Sequence, residues 1–431
     1  MVADRVDGEG TADAGQTFAP LGDAAADRLV SLDFIRGVAV LGILAANITG
    51  YALSSMESGW PSIFGPLDEG SIAVWLFDLV FVDGKMRSLF AILFGAGLAL
   101  FIDRVEAKGG VGVALQVRRL GWLLAFGIAH FYLLFRGDIL AAYAFWGFFA
   151  MMMTRLPPAL LLSLGATLYL AMVPLDMASY GAALEPPALA ASGEEGNASP
   201  FAGRAYDYAD LREQALTDRS RMRDGSLAQI VAHKQAAHAY RYLAGSIDAL
   251  FDSFPMMLIG IALYRLGLFA RGAGSGRLKL WGWGLAAVGI ATALALARVP
   301  LAQGLSIETI GYYTHALMPL QRLPMTLAWL FLLLAYLPRF AYGKVGQRII
   351  AAGRMAFSNY IGTSLLMALI FQGWGLGLFG SFTRLELAGF VLLGWAAMLA
   401  WSKPWLERHA QGPLEWLWRC LTYWRLFPFR R

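Results

Sequence analysis

RLVSLDFIRGVAVLGILAAN, residues 28–47, joins a charged doublet, Asp33 and Arg36, to a long apolar run that ends at an amide, Asn47. On a helix, Asp33 and Arg36 are neighbours, being three residues apart. Arg36 and Asn47 are eleven apart. At about 100° per residue they return to within roughly 20° of one face, about 16 Å apart along the axis. One helix therefore carries polar groups at both ends of a single stripe. In a membrane such groups face protein or water rather than lipid. Anchoring at the headgroups accounts for Asp33 and Arg36 but leaves Asn47 unexplained.

The rest of the chain has the same character. Of 431 residues, 58% are hydrophobic and 15% charged, with 27 Phe, 16 Tyr and 14 Trp. A soluble protein is closer to half apolar and a quarter charged. Apolar runs recur from residue 34 to residue 402, so the expectation is an all-α, polytopic membrane helix bundle whose main partner is the lipid bilayer. The net charge of +5 does not point to nucleic acid, because the basic residues sit in short loops and at the C-terminus. A single cysteine, Cys420, excludes an intrachain disulfide and a Cys-rich metal site. Residues 1–27 are Ala/Gly/Asp-rich and net acidic, without a basic segment ahead of an apolar core, and are expected as a disordered tail.

Basic loops at 103–119 and 271–279 belong in the cytoplasm. That parity lets the long apolar regions 71–102 and 305–338 each cross once, an interfacial or re-entrant piece preceding one span. Ten spans with both ends cytoplasmic result; twelve, with both regions split, is the alternative. The expected divisions are a membrane half at 28–175 and a second at 247–402. Between them lies an extracytoplasmic loop at 176–246 with one or two amphipathic helices, and a basic Trp-rich cytoplasmic tail follows at 403–431.

Five segments resemble one family in order. They are residues 28–47, DGKMRSLFAILFGAGLALFIDR, RRLGWLLAFGIAHFYLLFRGDILAAYAFWG, GRMAFSNYIGTSLL with GLGLFG, and GPLEWLWRCLTY. Together they resemble the YeiB-like family, whose C-terminal half is a domain of unknown function and which is distantly grouped with transmembrane acyltransferases. The resemblance covers nearly the whole chain after residue 27. It implies a bacterial inner-membrane protein, acyl-CoA as cytoplasmic co-substrate, no permanently bound cofactor, and a sugar or lipid-linked acceptor outside. The surface-sugar O-acyltransferases of that group carry a histidine eleven residues after the first-helix arginine. Asn47 stands there in this chain, and asparagine cannot serve as a general base at neutral pH.

His130 is the substitute base, with Asp138 across a tight turn to hold its tautomer and Asn47 to orient. The alternative is that His130 and Asp138 only cap helices or bind each other. Lys85, Arg87 and Arg136 fall at the same expected depth, as donors for substrate and a developing oxyanion. Glu308 and His315 are a second acceptor-side pair, seven apart. Asp33, Arg36, Arg354 and Asn359 gather at the cytoplasmic side, where arginines suit a donor's phosphates; Asn359 also suits a helix–helix hydrogen bond, as does Gln372. GLGLFG lacks the strand that a dinucleotide site needs and is expected as a glycine turn. His233 and His238 are expected at the surface rather than on a metal, and NAS at 197–199 matters only in a eukaryotic secretory route. A transporter or flippase for a small solute or lipid is the other function that such a polar path would serve.

Overall fold

A computed structural model describes residues 23–181 and 208–430. The tail to residue 22, the Glu185–Pro200 loop with its 197–199 sequon, and the side chain of His238 lie outside the described residues. Described elements are helical throughout: α1 (Asp23–Ala52), α2 (Ser55–Gly59), α3 (Glu69–Phe77), α4 (Lys85–Glu106), α5 (Gly112–Leu133), α6 (Leu140–Met152), α7 (Pro158–Gly181). There follow α8 (Tyr208–Asp224), α9 (Leu227–Asp248), α10 (Ser253–Arg265), α11 (Gly276–Ala302), α12 (Met318–Phe340), α13 (Lys344–Arg354), α14 (Ala356–Phe371), α15 (Arg384–Arg408) and α16 (Pro413–Tyr423). Helix α1 begins within the stretch expected as tail.

The chain is a helical membrane bundle. Among the described residues, seven segments are long and apolar enough to cross a bilayer, including Val30–Ala52, Glu69–Glu106 and Arg384–Arg408. Three shorter apolar helices, α6, α10 and α14, stand at the other places where spans are expected. Two of those expected spans are broken. The sixth, expected over 247–268, starts only at Ser253, after the turn that carries Asp252. The ninth, expected over 351–373, is interrupted at Met355, which ends α13 and opens α14.

Both long apolar regions break in the same way. Helix α3 passes into a π-helical turn, Asp78–Val82, then Asp83–Gly84, and only then α4. Likewise a π-helical turn, Ile310–Ala316, immediately precedes α12. Trp75 and Leu79 from the first break share a core cluster with Ile310 and Met318 from the second.

Lipid tails are as apolar as leucine, so helices in a membrane associate through close packing, which small residues permit. A Cβ on Gly37 would fall 2.0 Å from the Ile349 carbonyl oxygen, and one on Gly353 1.9 Å from that of Asp33. Helices α1 and α13 thus touch backbone to backbone. Helices α8 and α9 form a pair against one end of the bundle, pinned by Asp218. That carboxylate accepts from Arg136 Nη1 (2.7 Å) and from the Ser55 amide (3.1 Å), and lies 3.1 Å from His233 Nε2. Burial opposes its ionisation, but Arg136, His233 and Ser55 outweigh that and hold the carboxyl well below the usual carboxylate range. His233, expected at the surface, is half-buried in this contact.

Candidate functional site

Helix α5 ends one turn after His130, and the chain reverses through Leu134–Asp138 into α6. His130 Nδ1 lies 2.8 Å from Asp138 Oδ1, and Oδ2 accepts the Ala141 amide at 2.9 Å, which caps α6. The carboxylate therefore holds the imidazole and the helix start together. The two side chains are 1% and 0% exposed. Donation from Nδ1–H to the carboxylate leaves Nε2 with a free lone pair. Among the described residues, Nε2 is buried without a hydrogen-bond partner, and the nearby Tyr360 hydroxyl faces the Ile139 backbone. The Tyr360 ring lies 4.9 Å from the imidazole and that of Phe135 6.2 Å. The reversal is held from outside itself. Lys234 of α9 donates to the carbonyls of Tyr132 and Leu134, and Gln372 donates to Leu134 at 2.9 Å. A cation on the last carbonyls of α5 suits the helix dipole.

Three helices run in one direction here. Arg36 to Asn47 on α1 and Arg119 to His130 on α5 are both eleven-residue intervals, about 16 Å each; Arg354 precedes Tyr360 on α13–α14. The arginines gather at one end and the dyad at the other. Between them is a chamber of about 190 Å³, lined along α1 by Arg36, Val40 and Ile43 and closed by aromatic rings such as Phe90, Phe94, Tyr143 and Phe357. Arg36 pairs with Asp33 at 2.8 Å. Arg119 is stacked between Phe101 (4.8 Å) and Trp418 (4.2 Å), with no carboxylate on it among the described residues. Glu415 comes from α16. Its carboxylate accepts from the amides of Phe357 (2.8 Å) and Ser358 (3.1 Å) and from the Ser358 hydroxyl, and so caps α14. Burial raises this carboxyl's pKa. The tail, expected to lie flat on the membrane surface, thus walls the chamber.

A second chamber, of about 300 Å³, lies beyond Ile43 on the same helix, lined by Asn47, Thr49 and Gly50. Facing them are Trp75, Asp78 and Asp83 of the first break, His315 of the second, and Arg384 at the head of α15. Lys85 is fully buried and donates to the Leu79 carbonyl inside the break. Beside it, Arg322 of α12 and Arg87 of α4 both reach Asp252. Gly84, at φ 70°, lies so close under Arg322 that a Cβ would fall 2.0 Å from the guanidinium Nε.

Of the residues expected from sequence, the fold brings together His130 with Asp138, Arg36 with Arg354, and Asn47 with His315. Others are engaged elsewhere. Arg136 binds Asp218 and the Leu53 carbonyl (2.6 Å), which turns it to the α8–α9 pair. Glu308 accepts from Tyr208. Lys85 and Arg87 are tied to Leu79 and Asp252, so they are not free donors beside the dyad. Asn359, expected also among donor-binding groups, is fully used as a helix clasp. It donates to Ala352 O and Ser402 Oγ, both at 3.0 Å, and accepts from Trp401 Nε1 at 2.8 Å. Sequence reasoning missed Arg119, Glu415, Asp78, Asp83, Asp252, Arg322 and Arg384. The RRLGW, GPLEW and DGK segments flagged three of these places without a partner for them.

A helical membrane protein with two internal chambers and a buried His–Asp pair against Tyr360, on the wall of the first, is the class defined so far. The chain belongs to the YeiB-like family, the family described as "Protein of unknown function (DUF418)", which matches residues 263–425. It is 30% identical over 414 residues to the uncharacterized protein YeiB of Escherichia coli (strain K12), covering 92% of this chain and 96% of that one. It is 27% identical over 418 residues to the uncharacterized protein YxaH of Bacillus subtilis (strain 168), covering 92% and 94%. No solved structure matches it.

Proposed function

We propose that this protein is a transmembrane acyltransferase of the bacterial cytoplasmic membrane. In this reading both termini are cytoplasmic, so the arginine chamber faces the cytoplasm and takes acyl-CoA, and the α8–α9 pair is extracytoplasmic. The acceptor, a sugar or lipid-linked sugar, approaches from that side. The carrying observation is the buried His130–Asp138 pair, whose Nε2 has no partner among the described residues, beside the Tyr360 hydroxyl. A buried ring nitrogen left unsatisfied is costly unless a ligand completes it.

His130 Nε2 takes the proton of the acceptor hydroxyl as its oxygen forms a bond to the thioester carbon. The Tyr360 hydroxyl donates to the carbonyl oxygen as charge develops there. The C–S bond then breaks, and the thiolate leaves with the proton returned from His130. Asp138 holds the ring through Nδ1. Arg36, Arg119 and Arg354 hold the donor's phosphates, a task for which planar guanidiniums are suited. Asn47 orients the acceptor.

One observation favours a second reading, transport. The two π-helical breaks pair across the halves of the chain, as discontinuous helices do around transporter sites. Acyl-CoA binding and consumption by the purified protein separate the two. Expected are turnover lost in His130→Ala and donor binding weakened about tenfold or more in Arg36→Ala. A folded preparation that neither binds nor consumes any acyl-CoA refutes the enzyme reading and leaves transport.

A further inference from the structure

The chamber beside the first helix break holds groups that the dyad does not use. Among the described residues, no hydrogen bond reaches the carboxylate of Asp78 or of Asp83. Ser58, also on the chamber wall, has a buried hydroxyl without a partner among the described residues. Asp83 is exposed and Asp78 half-buried on the chamber wall, which leaves both carboxylates open to hydrogen-bond donors that enter it. The charges set the kind of ligand. Two carboxylates face Arg384, whose guanidinium is anchored on the Glu57 (2.6 Å) and Ser58 (3.2 Å) carbonyls, and Lys85 lies just behind. The two carboxylates are matched by Arg384 and Lys85, and Arg322 behind Asp83 is shared with Asp252, so neither sign of ligand charge dominates the site. Trp75 adds an aromatic face. The volume, about 300 Å³, is at the small end for ligand pockets and admits one ring rather than a chain of them.

We infer that this chamber binds a single neutral, polyhydroxylated ring, with Asp78, Asp83 and Asn47 taking its hydroxyls and Trp75 packing on its apolar face. The inference deepens the acyl-transfer reading, whose acceptor this ring would be. Binding itself is independent of the chemistry. Gly50, on the chamber wall, packs against Phe135, and Phe135 packs on His130, so the chamber holds the ring next to the base, and proton transfer to His130 requires Phe135 to swing aside.

The test is calorimetric titration of the full chain in nanodiscs with three sugars of one ring size: N-acetylglucosamine, glucosamine and glucuronate. The neutral sugar is expected to bind best. Asp83→Asn and Asp78→Asn are each expected to weaken it about tenfold or more, the share of a hydrogen bond to a charged group. Variants count only if they elute and melt as the parent does; if Asp83→Asn does not fold, Asp78→Asn and Asn47→Ala decide. Tighter binding of glucosamine makes the chamber a cation site and overturns the inference, as does tighter binding of glucuronate. Absence of binding by all three, or binding unchanged in every variant, overturns it too. His130→Ala serves as the separator. Sugar binding that survives there without turnover keeps the chamber and the chemistry as distinct findings.

Discussion

Asp138→Asn separates the chemical role of the dyad from its structural one. Asp138 accepts two hydrogen bonds, from His130 and from the Ala141 amide at 2.9 Å. Asparagine has the same shape but one acceptor and one donor. With its oxygen on Ala141, its NH₂ must point at Nδ1, and Nδ1 must then accept. The imidazole proton moves to Nε2, and the base loses its lone pair. A positioned general base contributes roughly 10²–10⁴ in rate, so turnover of acyl-CoA should fall by about that factor. Stability should hardly change, because both hydrogen bonds survive. Asp138→Ala behaves differently. It removes a helix cap, at about 1 kcal/mol, and strands a buried Nδ1–H, at about 1–3 kcal/mol, together roughly 2–4 kcal/mol. Initial rates and thermal unfolding on the same detergent-purified samples read both quantities. The reasoning fails if the Asn variant keeps its rate within about twofold, or if its rate falls only with its folded fraction.

Gly84→Ala should destabilise the protein by about 3 kcal/mol or more, since a side chain at φ 70° is itself unfavourable and its Cβ displaces Arg322 from the largely buried Asp252. Gly84→Asn tolerates the backbone angle but not the crowding, and should melt as low as the alanine variant; recovery would show that Arg322 is not the cause. Lys234 makes a pH signature. Burial pushes its pKa down to about 7, with Arg136 adding to the effect, against 10.5 in the unfolded chain. Between those values the unfolded state holds a proton that the folded state has released, so stability should rise as pH goes from about 7 towards 10.5. Lys234→Met should flatten that slope in thermal melts across the range, and an unchanged slope would place the titrating group elsewhere.

Composition and periodicity alone determined that this chain is a helical membrane bundle. In a bilayer every backbone polar group must bond within its own helix, so apolar length along the chain is enough to reveal the helices. The eleven-residue interval from Arg36 to Asn47 was equally readable, since helix geometry is local. So was the pairing of His130 with Asp138, because only eight residues and one tight turn separate them. What lay beyond the sequence is everything that depends on distant elements meeting. Glu415 reaches the head of α14 from 57 residues away, and Arg322 meets Asp252 across 70. No spacing rule links such residues. Arg136 shows the converse. Its place beside the dyad in sequence suggested a donor, yet the α8–α9 pair supplies Asp218 and turns it away. A charge takes the partner that leaves least of it desolvated and unpaired, and only the packed fold decides which partner that is.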